Sequence, residues 1–343
     1  MSRNPSRSTI IARLAQEKGL VIVSLDALTI RRQRCGKGFT FRAADGTCVR
    51  DPAEVKRLRS LAVPPAYVDV RYASDDKAHL QAVGTDAAGR LQYRYHAKWT
   101  EVREALKARR LQRIALALPT IRRAVNRALA GGGQDATFAA AAVVHLVSLT
   151  AIRAGSEAYA KERGTRGAAT LLKSNVKLAR NVVTLTFKAK GGKPVAKEVR
   201  DTRLAKAVAR LMALPGRRLF QYRGADGLIH PVRAEDVNSF LRTTAGRRIS
   251  LKDFRTLTAS TEALEALAAA QPAASERARR SQIRTVVTSV AEELANTPAI
   301  CRKSYVHEKV VKAFEGGKLI RLKPSRSIAK KAERLARIVA GTT

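Results

Sequence analysis

The sequence predicts an α+β fold: a small β-rich amino-terminal domain followed by a mainly helical domain that carries one small sheet. Three observations support this. Up to residue 98 the chain alternates apolar and polar residues between turns rich in Gly and Pro. From Trp99 onward, long Ala-, Leu- and Arg-rich stretches have a helical texture. The 343 residues are 45% hydrophobic, which suits two or three domains with real cores rather than a disordered basic tail.

Taken in order, residues 1–30 offer a short helical pattern on Ile10, Ile11 and Leu14, then an apolar strand-like run. Gly36 to Val49 reads as a hairpin around an Ala-Asp-Gly turn. A short helix from Pro52 to Leu61 leads into Val63-Pro-Pro-Ala-Tyr67, where the prolines force extended backbone. Strands follow at Val68–Tyr72, Leu80–Thr85 and Leu91–Tyr95. Helices are expected over Trp99–Ala130 and Ala139–Glu162, with Gly131-Gly-Gly133 as the break between them. The second is rich in Ala and Val and belongs at the centre of a core. Val176–Leu178, Val182–Phe187 and Val195–Val199 alternate as strands, with Lys188-Ala-Lys-Gly-Gly-Lys193 as a basic hairpin tip. Helices resume at Asp201–Leu214, Ala234–Thr243, Lys252–Ala270, Ser275–Leu294 and around Val306–Phe314. Pro324–Ala340 reads as a basic amphipathic tail. The expected division is 1–98, 99–317 and a tail over 318–343.

Charge narrows the function. With 66 Lys and Arg against 28 Asp and Glu, the net charge is +38. Such a chain repels itself and calls for a polyanion, nucleic acid first and an anionic membrane second. No membrane partner is expected, because apolar runs are broken by charge well short of a spanning length. Cys35, Cys48 and Cys301 lack metal-ligand spacing and cannot all pair. A reducing, cytoplasmic compartment in association with DNA or RNA is therefore expected. No phosphate-binding loop is present, since Gly192-Lys-Pro and Gly317-Lys-Leu lack its frame. The five histidines show no ligand spacing and the carboxylates no two-metal cluster, so neither cofactor nor metal is expected.

Cleaving a phosphodiester with protein groups alone requires a nucleophile, fixed cations on the non-bridging oxygens and an acid for the leaving oxygen. Four segments suit these tasks. Arg153 stands near the end of an apolar helix, as a phosphate ligand or a snorkelling surface arginine. Lys188, Lys190 and Lys193 form a mobile basic prong or a solvated turn. Lys252-Asp-Phe-Arg255-Thr opens a helix, offering N–H groups and two cations to a phosphate, or a helix-start salt bridge. Asn296-Thr-Pro-Ala-Ile-Cys-Arg-Lys-Ser-Tyr305 is a short helix with Pro298 early in it. Its Tyr305 is a stacking platform, a packed phenol or a nucleophile.

These segments, in this order, resemble the type IB DNA topoisomerases, most closely the compact bacterial and poxvirus branch. The pattern is Ile-Arg-x-Gly-x-x-x-Tyr-x-x-Glu from Ile152, a hairpin lysine, Lys-Asp-Phe-Arg-Thr, and Asn-Thr-Pro-Ala-Ile-x-Arg-x-x-Tyr. Val63-Pro-Pro-Ala-Tyr, Gln92-Tyr-Arg-Tyr-His and Gly164-Thr-x-Gly-Ala-Ala-Thr-Leu extend the likeness over roughly residues 35 to 316. The resemblance implies a catalytic domain of the tyrosine recombinase and type IB topoisomerase kind. It implies Tyr305 as the nucleophile that forms a 3′-phosphotyrosyl link and frees a 5′-hydroxyl. Arg153 and Arg255 match the arginines that hold the scissile phosphate. Lys190 matches the general acid, with Lys188 and Lys193 as the alternatives if the hairpin register shifts. Lys252 and Tyr159 match supporting DNA-binding positions. Asn296 stands where poxvirus-type members carry histidine, which removes a possible cation and keeps a donor. The implied partner is double-stranded DNA, held by a monomeric C-shaped clamp and relaxed without ATP. The rivals are a tyrosine recombinase, which normally has His-x-x-Arg in place of Lys252-Asp-Phe-Arg255, and a basic DNA-binding protein with no catalysis.

Overall fold

The structure, a computed structural model, describes residues 6–325 and 327–341. The chain divides into two compact units, Met1–Leu106 and Lys107–Thr343.

The first unit opens with α1 (Arg7–Gln16), capped by Ser6, whose hydroxyl accepts the Thr9 N–H. Its antiparallel sheet contains β1 (Ile30–Cys35), β2 (Gly38–Arg42), β3 (Val68–Tyr72), β4 (Leu80–Thr85) and β5 (Leu91–Tyr95), in the order β2-β1-β3-β4-β5. Between β2 and β3, α2 (Pro52–Ser60) starts on the Asp51 cap with proline in its first turn. It lays Leu58 against Ile30, Phe41, Val70 and Tyr72. The hairpin expected over Gly36–Val49 forms with a short second arm, in which Arg42 bridges Cys48 antiparallel. The main partner of β2 is β1, turned at Gly36-Lys37, and Ala43–Thr47 makes only a short return in which the Val49 N–H reaches the Phe41 carbonyl. The sequence hid this strand because five of its six residues are not buried, so it shows no alternation. The Val63-Pro-Pro loop is pinned by Arg32, which donates to the carbonyls of Val63 and Pro64, both at 3.1 Å, and to that of Tyr67.

The long α3 (Trp99–Ala130) begins in the first unit and continues into the second. Pro119 is accommodated on its exposed side. In the second unit, α4 (Ala136–Thr150) is buried along nearly its whole length. Here the expected single helix Ala139–Glu162 is corrected. The helix stops at Thr150 because Ala151 adopts the left-handed conformation, with φ 50°, and a separate α5 (Glu157–Arg163) follows. Next come β6 (Val176–Ala179), β7 (Val182–Lys188) and β8 (Pro194–Arg200), an antiparallel sheet in that order, and α6 (Thr202–Met212). A small ribbon of β9 (Gln221–Arg223) and β10 (Ile229–Pro231) was not expected, since three-residue strands are too short to show a period. The chain ends in α7 (Ala234–Ala245), α8 (Leu251–Ala269), α9 (Glu276–Glu293), α10 (Pro298–Ser304), α11 (Glu308–Glu315) and α12 (Ile328–Ala340).

The segment read as a basic tail is part of this core. Ala332, Leu335, Ile338 and Val339 on α12 are buried, while Lys331 pairs with Glu262 at 2.9 Å and Arg334 with Glu265 at 3.3 Å on α8. Among the described residues, no helix is long and apolar enough to cross a membrane.

Candidate active site

The site is built where α4, α8 and α9 end or begin. After the left-handed turn at Ala151, Arg153 lies in the connection to α5 rather than inside a helix. Two glycines let a second turn press against this connection. A Cβ on Gly167 would stand 2.4 Å from the Gly155 nitrogen, so the two backbones touch directly. The Ala168 N–H then donates to the Arg153 carbonyl at 2.7 Å, and the Ala169 N–H to Ala154 at 2.8 Å. The Gly164-Thr-Arg-Gly-Ala-Ala-Thr stretch thus holds the Arg153 backbone in place.

Arg255 belongs to the second turn of α8, whose start is fixed by Asp253 accepting the Ser250 N–H at 2.8 Å and its hydroxyl at 2.9 Å. It is only 3% exposed. Its terminal nitrogens donate to the carbonyls of Ala151 and Leu294, which ties α8 to the ends of α4 and α9. Burial lowers its pKa, the neighbouring Tyr305 acts in the opposite sense and Arg153 in the same one. A guanidinium so placed stays charged. Its Nε is buried with no acceptor.

Asn296 follows a left-handed Ala295, with φ 48°, at the end of α9. Its Oδ1 accepts from an Arg153 guanidinium nitrogen, and Arg153 also reaches the Ala295 carbonyl at 3.4 Å. Because a guanidinium only donates, this bond orients the amide with its oxygen toward Arg153 and its nitrogen away. That nitrogen, Nδ2, is likewise buried and unpartnered. Arg255 Nε and Asn296 Nδ2 are the two buried side-chain polar atoms without a partner among the described residues.

Tyr305 caps the carboxyl end of α10, a helix started by Thr297 and Pro298. It is 9% exposed, and the Arg255 guanidinium carbon stands 5.2 Å from its ring centroid. Its backbone is anchored from two helices. The Ser260 hydroxyl on α8 donates to the Tyr305 carbonyl at 2.7 Å and accepts the His307 N–H at 3.2 Å. The Lys107 ammonium on α3 donates to the carbonyls of Lys303 and Val306, both at 3.2 Å. Cys301 is buried in the same helix, and that burial pushes its pKa up to about 11, so it stays a neutral thiol.

Arg153, Arg255, Asn296 and Tyr305 are therefore brought together. Lys190 takes a different position. The β7–β8 tip turns through Gly191 and Gly192, with φ 79° and 74°, and sets the Lys190 ammonium 5.8 Å from the Tyr159 ring centroid. Arg163 covers the same ring at 5.4 Å. Lys188 and Lys252 are exposed and Lys193 is half-buried. A cavity of about 10 Å³ adjoins the two central arginines, and its lining includes Arg153, Arg166, Lys197, Arg255 and Glu293. Sequence reasoning missed Arg166, Lys197, Ser260 and Lys107. Only Lys197 left a signal, as a charge at an inward position of an alternating strand. Among the described residues, no group of three or more His, Cys, Asp and Glu is arranged to hold a metal ion.

Two arginines, an amide with an unpaired donor and a tyrosine thus converge in a helical core, an arrangement suited to holding an anionic ester. Residues 96–332 match the family model described as the catalytic core of eukaryotic DNA topoisomerase I. Residues 38–86 match that of the bacterial DNA topoisomerase IB N-terminal domain. The chain belongs to the DNA topoisomerase I family, in its type IB class. It is similar to the DNA topoisomerase 1B of Acanthamoeba polyphaga mimivirus, with 29% identity over 293 residues that cover 83% of this chain and 87% of that protein.

Proposed function

We propose that this enzyme relaxes supercoiled duplex DNA by cutting and resealing one strand through Tyr305, with neither ATP nor metal. The observation that carries the reading is the pair of unpartnered buried donors, Arg255 Nε and Asn296 Nδ2, beside that tyrosine. Each costs about 1–3 kcal/mol while unpaired. A phosphodiester brings anionic oxygens that satisfy both.

The reaction follows from these groups. The Tyr305 oxygen attacks phosphorus and loses its proton to solvent, forming an O–P bond while the P–O5′ bond breaks. Arg153, Arg255 and Asn296 meet the charge that grows on the non-bridging oxygens. Lys190, carried inward by its glycine-rich tip, gives a proton to the 5′-oxygen and recovers it when the 5′-hydroxyl attacks in reverse. The phosphotyrosine ester conserves the energy of the original bond, so resealing needs no nucleotide. Lys252, Lys188, Lys193 and Tyr159 support the DNA. The enzyme works as a monomeric clamp, cytoplasmic and associated with the nucleoid, and between cutting and sealing the free end rotates. The match of residues 38–86 to a topoisomerase amino-terminal domain favours this over a tyrosine recombinase.

Plasmid relaxation in EDTA without ATP tests the reading, with Tyr305→Phe as the partner variant. The wild-type chain should give a ladder of topoisomers and an SDS-resistant DNA adduct. Tyr305→Phe should give neither and still bind duplex within a few-fold. An adduct that persists in Tyr305→Phe places the nucleophile elsewhere.

A further inference from the structure

The inward face of β8 holds a residue that packing does not explain. Along this strand Val195 is buried and Val199 packs against the core, while Lys197 stands between them, opposite Leu185 of β7. An apolar side chain would fill this position, whereas a lysine brings a charge into a half-buried site. Its ammonium makes no hydrogen bond or ion pair among the described residues. What it does share is the cavity lined by Arg153, Arg166 and Arg255, with Glu293 as the one carboxylate. Four cations against one anion, around a space of about 10 Å³, leave room for roughly one water or one oxygen. The excess of positive charge suits this cavity to an anionic oxygen. A residue that breaks the strand's pattern at this point is expected to serve the site rather than the fold.

We propose that Lys197 is a further catalytic residue, a third fixed cation that meets a non-bridging oxygen of the scissile phosphate beside Arg153 and Arg255. This rests on the reading of that cavity and Tyr305 as the cleavage site. Lys190 keeps its separate task of protonating the leaving oxygen. The groups facing Lys197 are Glu293 from α9, Arg255 from α8, Arg153 from the α4–α5 connection and Arg166 from the turn after α5. Burial lowers the pKa of Lys197, Glu293 opposes this and Arg255 adds to it. Lys197 is thus the cation of the cavity that loses its proton first as pH rises.

The test is single-turnover cleavage of a duplex oligonucleotide by the full chain, on an ordinary substrate and on one with sulfur at the 5′-bridging position. Wild-type adduct formation is measured first. Its absence refutes the proposed cleavage site itself, and its presence makes the variants decisive for Lys197 alone. Lys197→Met should slow cleavage about 10²-fold, the scale of a lost oxyanion donor, with duplex affinity and thermal midpoint nearly unchanged. Lys197→Arg should restore most of the rate. The sulfur leaving group needs no proton, so it should rescue Lys190→Ala and leave Lys197→Met slow. On that substrate the wild-type rate should fall at alkaline pH, and Lys197→Arg should move the fall to higher pH. A Lys197→Met chain that cleaves at the wild-type rate, is rescued by sulfur, or loses only affinity overturns the proposal. Should Lys197→Met fail to fold, a Lys197→Arg profile superimposed on wild type overturns it equally.

Discussion

At the scale of single residues, the site depends on which way one amide faces. Arg153 donates to Asn296 Oδ1 and thereby leaves Nδ2 as a donor with no protein acceptor. Asn296→Ala removes that donor and is expected to slow single-turnover cleavage by about 10²-fold. Asn296→Asp should be slower still, since a carboxylate would pair with Arg153 and repel the phosphate. An Asp variant faster than the Ala variant would show that Asn296 does not face the phosphate. The sequence exposed part of this constellation. Arg255 and Tyr305 stand in short motifs whose order and spacing are local facts. The bond from Arg153 to Asn296 spans 143 positions and has no local signature. Neither has Ser260, one of several hydroxyls on α8, although it joins that helix to the Tyr305 carbonyl and to the His307 N–H just after it.

At the scale of elements, alternation and caps made most strands and helices legible, and backbone conformation made the exceptions. Val68–Tyr72, Leu80–Thr85 and Leu91–Tyr95 read directly because apolar runs end at turn residues. The break after Thr150 did not, because an alanine with φ 50° carries no turn signal, and the Arg255 guanidinium that donates to its carbonyl lies 104 positions away. The turn between β4 and β5 shows the opposite case, a local device with a measurable consequence. Asp86 accepts from the Arg90 side chain and backbone, from Gln92 and from the Ala88 N–H, which hold its pKa at about 2. A depressed folded-state pKa stabilises the fold fully above the unfolded value, here the ordinary 3.8. That contribution is lost as pH falls through about 2. The first unit should therefore weaken across this acid window, and Asp86→Asn should flatten the dependence there. Thermal melts followed between pH 5 and pH 2 check this, and identical slopes for wild type and variant would contradict it.

At the scale of the whole molecule, the dominant quantity is a net charge of +38, and it makes a quantitative demand on DNA binding. Internal ion pairs such as Lys331–Glu262 and Arg334–Glu265 use few of the 66 lysines and arginines. Many of the others are exposed to solvent. Each cation that neutralises a duplex phosphate releases condensed counterions, so log affinity should fall linearly with log salt, by about 0.9 per contact. With 6–10 contacts, affinity should drop roughly 10³- to 10⁵-fold between 50 and 200 mM salt. Tyr305→Phe should leave this slope unchanged, because it removes one hydroxyl and no cation. Lys197→Met and Asn296→Ala should leave it nearly so, since at most one phosphate contact is lost. Catalysis should depend on salt in the opposite sense at first. Relaxation requires release of the product, so at low salt many rounds occur on one plasmid while others stay untouched. Moderate salt should give faster turnover with every plasmid partly relaxed. Filter binding across a salt series, run beside plasmid relaxation, measures both. A slope near zero would mean that the charge does not face the duplex. A steep slope with no change from processive to distributive relaxation would mean that release of the duplex does not limit turnover.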